Sequence, residues 1–148
     1  MTAMIDEPSG PGLLIHATTV AVDGRGVAIA GASGSGKSDL ALRLIDGGAR
    51  LVADDQTRIE RQGDRLVATA PAAIAGLLEV RGVGIVDLPH QESVVLRLIV
   101  EAVTPAEVER MPSPESREML GLAVPLVRLD PFAVSACAKV RLAVSKLA

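Results

Sequence analysis

The sequence predicts a mixed α/β domain, and three observations lead to that class. Short apolar runs at Val27–Ala30 and Val94–Val103 have the length and composition of buried strands. Apolar residues at Leu40–Ile45, and again over 134–147, recur instead at helical spacing. A predicted hairpin turning at Gln62–Asp64 interrupts a simple alternation of strand and helix. The sheet is therefore expected to be mixed rather than purely parallel.

The chain length and the turn-forming and capping residues predict the order of the elements. The 148 residues suffice for one domain, so we expect a flexible lead-in over 1–12 and a single folded domain over 13–148. In chain order, the predicted elements are a strand pair at Leu13–Val22 folding back at Asp23-Gly24, strands at Val27–Ala30 and Arg50–Asp55, a hairpin at Thr57–Arg61 and Arg65–Thr69, helical turns at Pro71–Leu78, strands at Ile85–Leu88 and Val94–Val103, and helices from Thr104 and Asp130.

Composition excludes several classes of function. Aromatic residues make up 1% of the chain and its net charge is -3, so it lacks the stacking residues and the basic surface of nucleic-acid modules. No apolar stretch approaches the roughly 20 residues of a membrane helix, and the acidic start does not resemble a signal peptide. The lone Cys137 cannot form an intrachain disulfide. We expect a cytoplasmic protein that binds neither nucleic acid nor membrane.

The most specific motif lies between a predicted strand and a predicted helix. It matches G-x-x-x-x-G-K-[ST] in full, with Gly31, Ala32, Ser33, Gly34, Ser35, Gly36, Lys37 and Ser38. Glycines let backbone N–H groups surround phosphate oxygens, and the following helix directs its positive end at the same anion. Lys37 supplies a point charge, which we expect at an open loop mouth, and the Ser38 hydroxyl can bind Mg²⁺. The motif predicts nucleotide binding.

Acidic residues follow at the end of the next strand. Asp54 and Asp55 come 17 and 18 residues after Lys37, where a parallel arrangement would place them beside the phosphate loop. Carboxylates at such a place can hold Mg²⁺ or accept a proton from an attacking hydroxyl. Read without the loop, they would suit a solvated turn better than a functional site. A third charged segment, Glu79–Asp87, is predicted as a glycine-containing strand with a charged entry.

Taken together, these segments resemble the catalytic, C-terminal domain of HPr kinase/phosphorylase. The resemblance spans roughly residues 13–110 and rests on His16, on Gly31–Ser38 followed by Asp39, on Arg50–Asp55, and on Leu78–Asp87. It implies a phosphate-loop core with a mixed β-sheet, like that of phosphoenolpyruvate carboxykinase. It also implies a bacterial protein-serine kinase that uses ATP and Mg²⁺ to phosphorylate the phosphocarrier HPr, or an HPr-like carrier, of the phosphotransferase system.

The same resemblance implies roles for single residues. Lys37 would hold phosphates, while Ser38 and Glu79 would hold Mg²⁺. Asp55 would be the general base towards the substrate serine, with Asp54 beside it.

Two further residues follow from the resemblance, and one segment departs from it. His16 would complete the active site, and Arg110 falls where the family carries an active-site arginine. The family segment Pro-Val-x-x-Gly-Arg-Asn, tied to phosphorolytic dephosphorylation, is replaced by Val127–Phe132. The family's large N-terminal domain has no counterpart, so the chain resembles a short form. We therefore expect kinase activity with weak or no phosphorylase activity.

Two alternatives remain at the level of sequence. A small-molecule kinase would usually carry an arginine-rich lid, whereas the arginines after Asp55 are scattered. A non-catalytic nucleotide-binding regulator would keep the loop but lose the base, and the presence of Asp55 argues against it. The sequence leaves the oligomeric state open, self-association included.

Overall fold

The computed structural model describes residues 12–147. Within that range the chain forms eleven strands and two α-helices: β1 (Gly12–Ile15), β2 (Ala17–Val22), β3 (Arg25–Ala30), α1 (Lys37–Asp46), β4 (Arg50–Ala53), β5 (Thr57–Gln62), β6 (Arg65–Thr69), β7 (Leu77–Val80), β8 (Gly84–Asp87), β9 (Ser93–Ala102), β10 (Glu115–Met119), β11 (Leu122–Leu129) and α2 (Ala136–Ser145). Short 3₁₀ helices occupy Ala72–Ile74 and Pro105–Glu107.

Strand β9 organises a nine-stranded mixed sheet. The main path runs β1-β5-β6-β9-β3-β2-β4, and β11 adds to β9 with β10 beyond it. Along one edge, β9 pairs antiparallel with β6 at 93–95 and then parallel with β11 at 99–102, while β3 runs parallel along its other edge. A single long strand thus joins two parts of a curled sheet, which confirms the prediction of a central strand at Val94–Val103.

The strand directions place three strand ends at one edge of the sheet. Strands β3 and β9 are parallel, and β2 is antiparallel to both β3 and β4, so β4 runs in the same direction as β3. The residues that follow β3, β4 and β9 therefore leave the sheet at the same edge. Because the phosphate loop follows β3 and Asp54 follows β4, this topology brings the two predicted signals together.

The sheet buries side chains on both faces, which explains why its central strands are apolar without alternation. One core lies inside the curl of the sheet and includes Ala28, Ile59 and Ile99. The other lies between the sheet and both helices and includes Ile29, Leu40 and Val140. Neighbouring residues of β3 thus face opposite cores. No helix among residues 12–147 has the length and hydropathy needed to cross a membrane.

Several expectations need correction. Residues 1–11 of the predicted lead-in lie outside the described residues, and Gly12 already belongs to β1. The helical turns predicted at Pro71–Leu78 shrink to one 3₁₀ turn before β7 begins. The strand predicted across Glu79–Asp87 is a hairpin of β7 and β8, because the chain turns at 81–83. Strands β10 and β11 were not predicted.

The C-terminal helix also begins later than its sequence signal. A helix was expected from Asp130-Pro131, yet α2 begins at Ala136. The Asp130 carboxylate instead accepts a hydrogen bond from the Phe132 N–H at 3.0 Å, which makes a side-chain-closed turn. The predicted helix at Thr104 is a 3₁₀ turn with the expected capping box, in which Glu107 accepts from the Thr104 N–H at 2.9 Å.

Candidate active site

The phosphate loop connects the C-terminal end of β3 to the start of α1. Gly36, the residue before α1, adopts a left-handed backbone conformation with φ 101°, which a glycine reaches without strain. A Cβ at this position would lie 2.8 Å from the Phe132 ring, so a larger residue there would have to displace that ring. The first turn of α1 then directs its unpaired N–H groups towards the cavity beside the loop.

Lys37 is more buried than its sequence position suggested. Only 6% of the residue is exposed, so the expectation of a side chain in an open mouth is wrong. Its Nζ donates to the carbonyl oxygens of Gly31 and Ala32, both at 3.1 Å, and so braces the start of the loop. An ammonium group has three donors, so one more remains for a phosphate oxygen. Ser35 Oγ is buried in the same loop and lacks a hydrogen-bond partner among residues 12–147.

Asp54 links three elements through its two carboxylate oxygens. Oδ1 accepts hydrogen bonds from the Ser38 hydroxyl at 2.8 Å and from the Thr18 hydroxyl at 3.0 Å. Oδ2 accepts from the Glu79 backbone N–H at 3.0 Å. The residue thereby ties the phosphate loop, β2 and β7 together. A carboxylate next to the loop serine is the arrangement with which phosphate-loop proteins hold Mg²⁺.

Asp55 has different surroundings from its neighbour. Its carboxylate is 59% exposed, and Oδ1 lies 2.7 Å from His16 Nε2. Its backbone is left-handed with φ 67°, a conformation that is uncommon outside glycine and often marks functional positions. The Asp55 N–H donates to the Thr18 hydroxyl at 3.0 Å, which holds this conformation. His16 lies at the interruption between strands β1 and β2.

Most of the predicted site residues line one cavity of about 560 Å³. Its lining combines the loop, the acids and the β7 edge: Ser33, Gly34, Gly36, Lys37, Ser38, Asp39, Leu42, Asp54, Asp55, Glu79, Val80, Arg81 and Phe132. His16 is not part of this lining and joins the site through Asp55. The cavity therefore places the phosphate loop, the hydrogen-bonded Asp54 and the exposed Asp55 side by side.

The donor set fits Mg²⁺ as it is bound in phosphoryl-transfer sites. The Ser38 hydroxyl and the carboxylates of Asp54 and Glu79 are hard oxygen ligands, and all three residues line the cavity. Residues 12–147 contain no group of three or more His, Cys, Asp or Glu side chains arranged to hold a metal alone. Mg²⁺ usually takes one or two carboxylates together with phosphates and water.

Two arginines, Arg110, which was expected in the site, and Arg128, lie elsewhere. Arg110 is exposed in the loop after the second 3₁₀ turn and does not line the cavity. Arg128 donates to Glu115 at 2.6 Å and lies 3.8 Å from Glu101. The hydrogen bond from Arg128 holds the pKa of the Glu115 carboxyl below its usual range. The active-site role expected for Arg110 stays a prediction without a contact to support it.

Sequence reasoning missed Thr18 and Phe132. Thr18 is fully buried in β2 and bonds both Asp54 and Asp55. The adjacent threonines Thr18 and Thr19, in a strand that otherwise contains only Ala and Val, were the available signal, since buried hydroxyls require partners. Phe132 was the chain's single aromatic residue, yet it was interpreted only as a departure from a family segment.

The comparisons with known proteins agree with this geometry. Residues 11–131 match the model of the HPr Serine kinase C-terminal domain. The chain belongs to that family. A solved HPr(Ser) kinase/phosphatase from Coxiella burnetii has a TM-score of 0.80 and 25% identity, over 90% of this chain and 94% of that one. The sequence-based recognition of the family is thereby confirmed, and so is a mixed α/β fold similar to an HPr kinase.

Curated relatives place the same domain within longer proteins. The HPr kinase/phosphorylase of Clostridium tetani is 46% identical over 85 residues, which cover 57% of this chain and 28% of that protein. The enzyme of the same name from Exiguobacterium sibiricum is 47% identical over 89 residues, covering 60% of this chain and 29% of that protein. The matched residues thus span under a third of the length of these relatives.

Proposed function

We propose that this chain is an ATP-dependent protein-serine kinase that phosphorylates HPr or an HPr-like phosphocarrier. One observation carries the proposal: Ser38 of the phosphate loop bonds Asp54 at 2.8 Å, and the next residue, Asp55, presents an exposed carboxylate to the same cavity. Phosphoryl transfer to a hydroxyl needs a phosphate cradle, a metal and a group that orients or deprotonates the hydroxyl. The described residues offer a candidate for each.

The loop and the start of α1 would hold the triphosphate. Backbone N–H groups between Gly34 and Ser38 would bind the anion, except that of Ser35, which donates to the Ala32 carbonyl at 3.0 Å. The α1 dipole favours negative charge at this end. Lys37 is held by two carbonyl oxygens and keeps a third donor for a phosphate oxygen. Because this lysine is already ordered, little side-chain entropy is lost when phosphate binds.

Ser38, Asp54 and Glu79 would hold Mg²⁺. When bound, the ion neutralises charge on the phosphate oxygens. The hydrogen bonds from Thr18 and from the Glu79 N–H fix the Asp54 carboxylate in place before a ligand arrives. These bonds are the outer support that oriented metal ligands require.

Asp55 would accept the proton of the substrate serine. Its Oδ1 is engaged by His16, which leaves Oδ2 as the candidate acceptor. His16 would orient the carboxylate and stabilise its charge until the hydroxyl approaches. The exposure of Asp55 suits a protein substrate, because a serine on another protein must reach it from solvent.

The substrate and the setting are inferred from the relatives. Two curated relatives and one solved structure carry HPr in their names, and the proposal extends that substrate to this chain. We also propose a core of the phosphoenolpyruvate carboxykinase-like type, supported by the parallel β3–β9 pair that leads into the loop. A cytoplasmic location belongs to the same proposal.

Incubation of the chain with HPr, ATP and Mg²⁺ tests the proposal. Mass spectrometry should find phosphate on one serine of HPr, and an HPr variant with alanine at that serine should receive none. Transfer only to free small-molecule hydroxyls would support a small-molecule kinase instead. Binding of ATP without transfer to any acceptor would indicate a nucleotide-binding regulator.

A further inference from the structure

Phe132 is the only aromatic residue of the chain, and it is not in the core. The sequence has one Phe, no Tyr and no Trp, and both cores are filled by aliphatic side chains. Phe132 is 64% exposed at the mouth of the cavity. Burial of a phenylalanine ring is favourable, so leaving this ring at the surface forgoes a stabilising contribution. A ligand that covers the ring would recover part of it.

The turn that carries Phe132 is fixed from two sides. The Asp130 carboxylate accepts from the Phe132 N–H at 3.0 Å, and the Asp130 carbonyl accepts from the Ala133 N–H at 3.2 Å. Arg43 of α1 donates to the Pro131 carbonyl and also to Asp39 at 3.0 Å. The turn is thus tied to the helix that begins at the phosphate loop. A ring so placed is held ready for contact rather than left on a loose loop.

The ring also lies on the loop itself. The added-Cβ position at Gly36 is 2.8 Å from the ring's Cζ, so one part of the ring covers this glycine. Among the residues that line the cavity, only Leu42, Val80 and Phe132 carry large apolar side chains, and the remainder are polar or glycine. A nucleotide joins a polyanion to a flat aromatic base, and the cavity offers a partner of matching chemistry for each part.

We propose that Phe132 is the stacking platform for the nucleoside base of the bound nucleotide. The proposal rests on the proposed function insofar as it assumes nucleotide binding at the loop, but it does not depend on the identity of the protein substrate. Stacking on an aromatic ring accepts any base, since every base has a π-face. Phe132 would therefore raise affinity for ATP and GTP alike and contribute nothing to binding of the phosphates alone.

Calorimetry with ATP, GTP and inorganic tripolyphosphate separates the base from the phosphates. Phe132→Ala should weaken both nucleotides roughly ten-fold or more and leave tripolyphosphate binding unchanged. Phe132→Leu keeps an apolar cover on Gly36 without a π-face, so it should also lose nucleotide affinity. Leu142 of α2 is equally exposed at 64%, and Leu142→Ala is the matched control that should change none of the three.

Phe132→Trp supplies an independent readout, because the chain contains no other tryptophan or tyrosine. Its fluorescence should change strongly with ATP and only weakly with tripolyphosphate, while ATP affinity is retained. Equal loss of ATP and tripolyphosphate binding in Phe132→Ala would show a structural role in the loop and overturn the proposal. Unchanged ATP affinity with weakened binding of HPr would overturn it in favour of protein docking.

Failure of the stacking proposal can be distinguished from failure of the proposed kinase function. Selective loss of nucleotide affinity in Phe132→Ala supports the stacking role even if HPr receives no phosphate. Wild-type protein that binds neither ATP nor tripolyphosphate would contradict both proposals.

Discussion

Two adjacent carboxylates show how surroundings divide roles between residues of the same chemistry. Asp54 accepts three hydrogen bonds, from Ser38, Thr18 and the Glu79 N–H, and so is fixed. Asp55 is largely exposed and has His16 as its side-chain partner. The first arrangement suits a rigid metal ligand, and the second suits a group that exchanges a proton with an incoming hydroxyl.

Loss of the Lys37 charge should abolish phosphoryl transfer. Because this side chain is buried, Lys37→Met is a cleaner change than alanine, since it keeps the apolar stem and removes only the ammonium group. We expect transfer and tripolyphosphate binding to fall together while circular dichroism is retained. Lys139→Met, on the exposed side of α2, is the matched control. Near-normal transfer in Lys37→Met would contradict the assignment of the loop.

Replacement of Asp55 by Asn should separate chemistry from binding. Asn accepts the same left-handed backbone but cannot take up the proton. Transfer should fall by roughly 10²–10⁴-fold while calorimetry shows ATP and Mg²⁺ binding retained. Asp23→Asn is the matched control, because Asp23 also has a positive φ, of 51°, and lies outside the cavity. Loss of ATP binding in Asp55→Asn would instead make Asp55 a metal ligand.

Glu79 should act through the metal. In Glu79→Gln the charged oxygen ligand is lost, so the Mg²⁺ concentration needed for half-maximal transfer should rise, and activity should partly recover at high Mg²⁺. Titration of transfer rate against Mg²⁺ measures this, with Glu118→Gln on exposed β10 as control. An unchanged Mg²⁺ dependence would leave Glu79 as a surface charge on β7.

Individual site residues were predictable where a motif specified chemistry. The loop, Asp54, Asp55 and Glu79 were expected near one another. The strand directions explain the position of the loop and the two aspartates, while Glu79, in the separate β7–β8 sheet, is joined to Asp54 through its backbone N–H. Thr18 was not identified, because its importance depends on a hydrogen-bonding partner 36 residues away that only the fold supplies. Arg110 shows the opposite case, since a position along the chain did not bring the side chain to the cavity.

Among the elements, strand β3 leads directly into the phosphate loop and is held in place by its pairing with β9. Their parallel pairing shifts register between Gly26 and Val27, where β3 approaches β9 closely. A Cβ on Gly26 would lie 2.6 Å from the Val95 carbonyl oxygen and 3.1 Å from the Leu96 Cα. Since these are backbone atoms, a side chain can fit only if the two strands move apart.

Gly26→Ala should therefore destabilise the domain by about 1–3 kcal/mol, the usual cost of overpacking. The free energy of unfolding from urea denaturation measures the effect. Gly12→Ala in edge strand β1 is the control, because the nearest atom to its added Cβ is 3.4 Å away; its change should stay within about 0.5 kcal/mol. Equal stability of the two variants would contradict the close approach of β3 to β9.

The elements that sequence reasoning missed share a physical reason. Strand β10 is mostly charged and exposed, so it carries no apolar pattern. Strand β11 contains Pro125, which argues against a strand because proline cannot donate a ladder hydrogen bond. The structure accommodates it because β11 joins β9 only from Leu126 onward. Central strands with two buried faces were predictable, whereas this hairpin, which buries only alternate residues such as Val124 and Leu126, was not.

For the whole molecule, we expect the proposed reaction to run in one direction. Phosphorolysis of phosphoserine brings inorganic phosphate close to a second anion, which needs additional donors because like charges repel strongly in a partly dry site. Arg128 is engaged by Glu115, and Arg110 does not line the cavity. Of the Asp130–Phe132 turn, Phe132 lines the cavity and contributes an apolar ring, while the Asp130 carboxylate accepts from the Phe132 N–H.

We therefore expect kinase activity with little or no phosphorylase activity. Serine-phosphorylated HPr, inorganic phosphate and Mg²⁺ should give little pyrophosphate with this chain. A curated relative such as the Clostridium tetani enzyme, assayed in parallel, serves as the comparison. Pyrophosphate formed at a rate comparable to the forward reaction would show that other groups supply the missing donors.

The central claim is that the phosphate loop and the Asp54–Asp55 pair form one site that phosphorylates a serine of a carrier protein. A single-turnover experiment with γ-labelled ATP, Mg²⁺ and excess HPr tests it most directly. We predict that the label appears on a serine of HPr with wild-type protein, and that Asp55→Asn binds the labelled ATP but transfers it at least a hundred-fold more slowly, about the lower limit for a general base. Label that stays on ATP, or is released only as inorganic phosphate while HPr remains unmodified, would contradict the account.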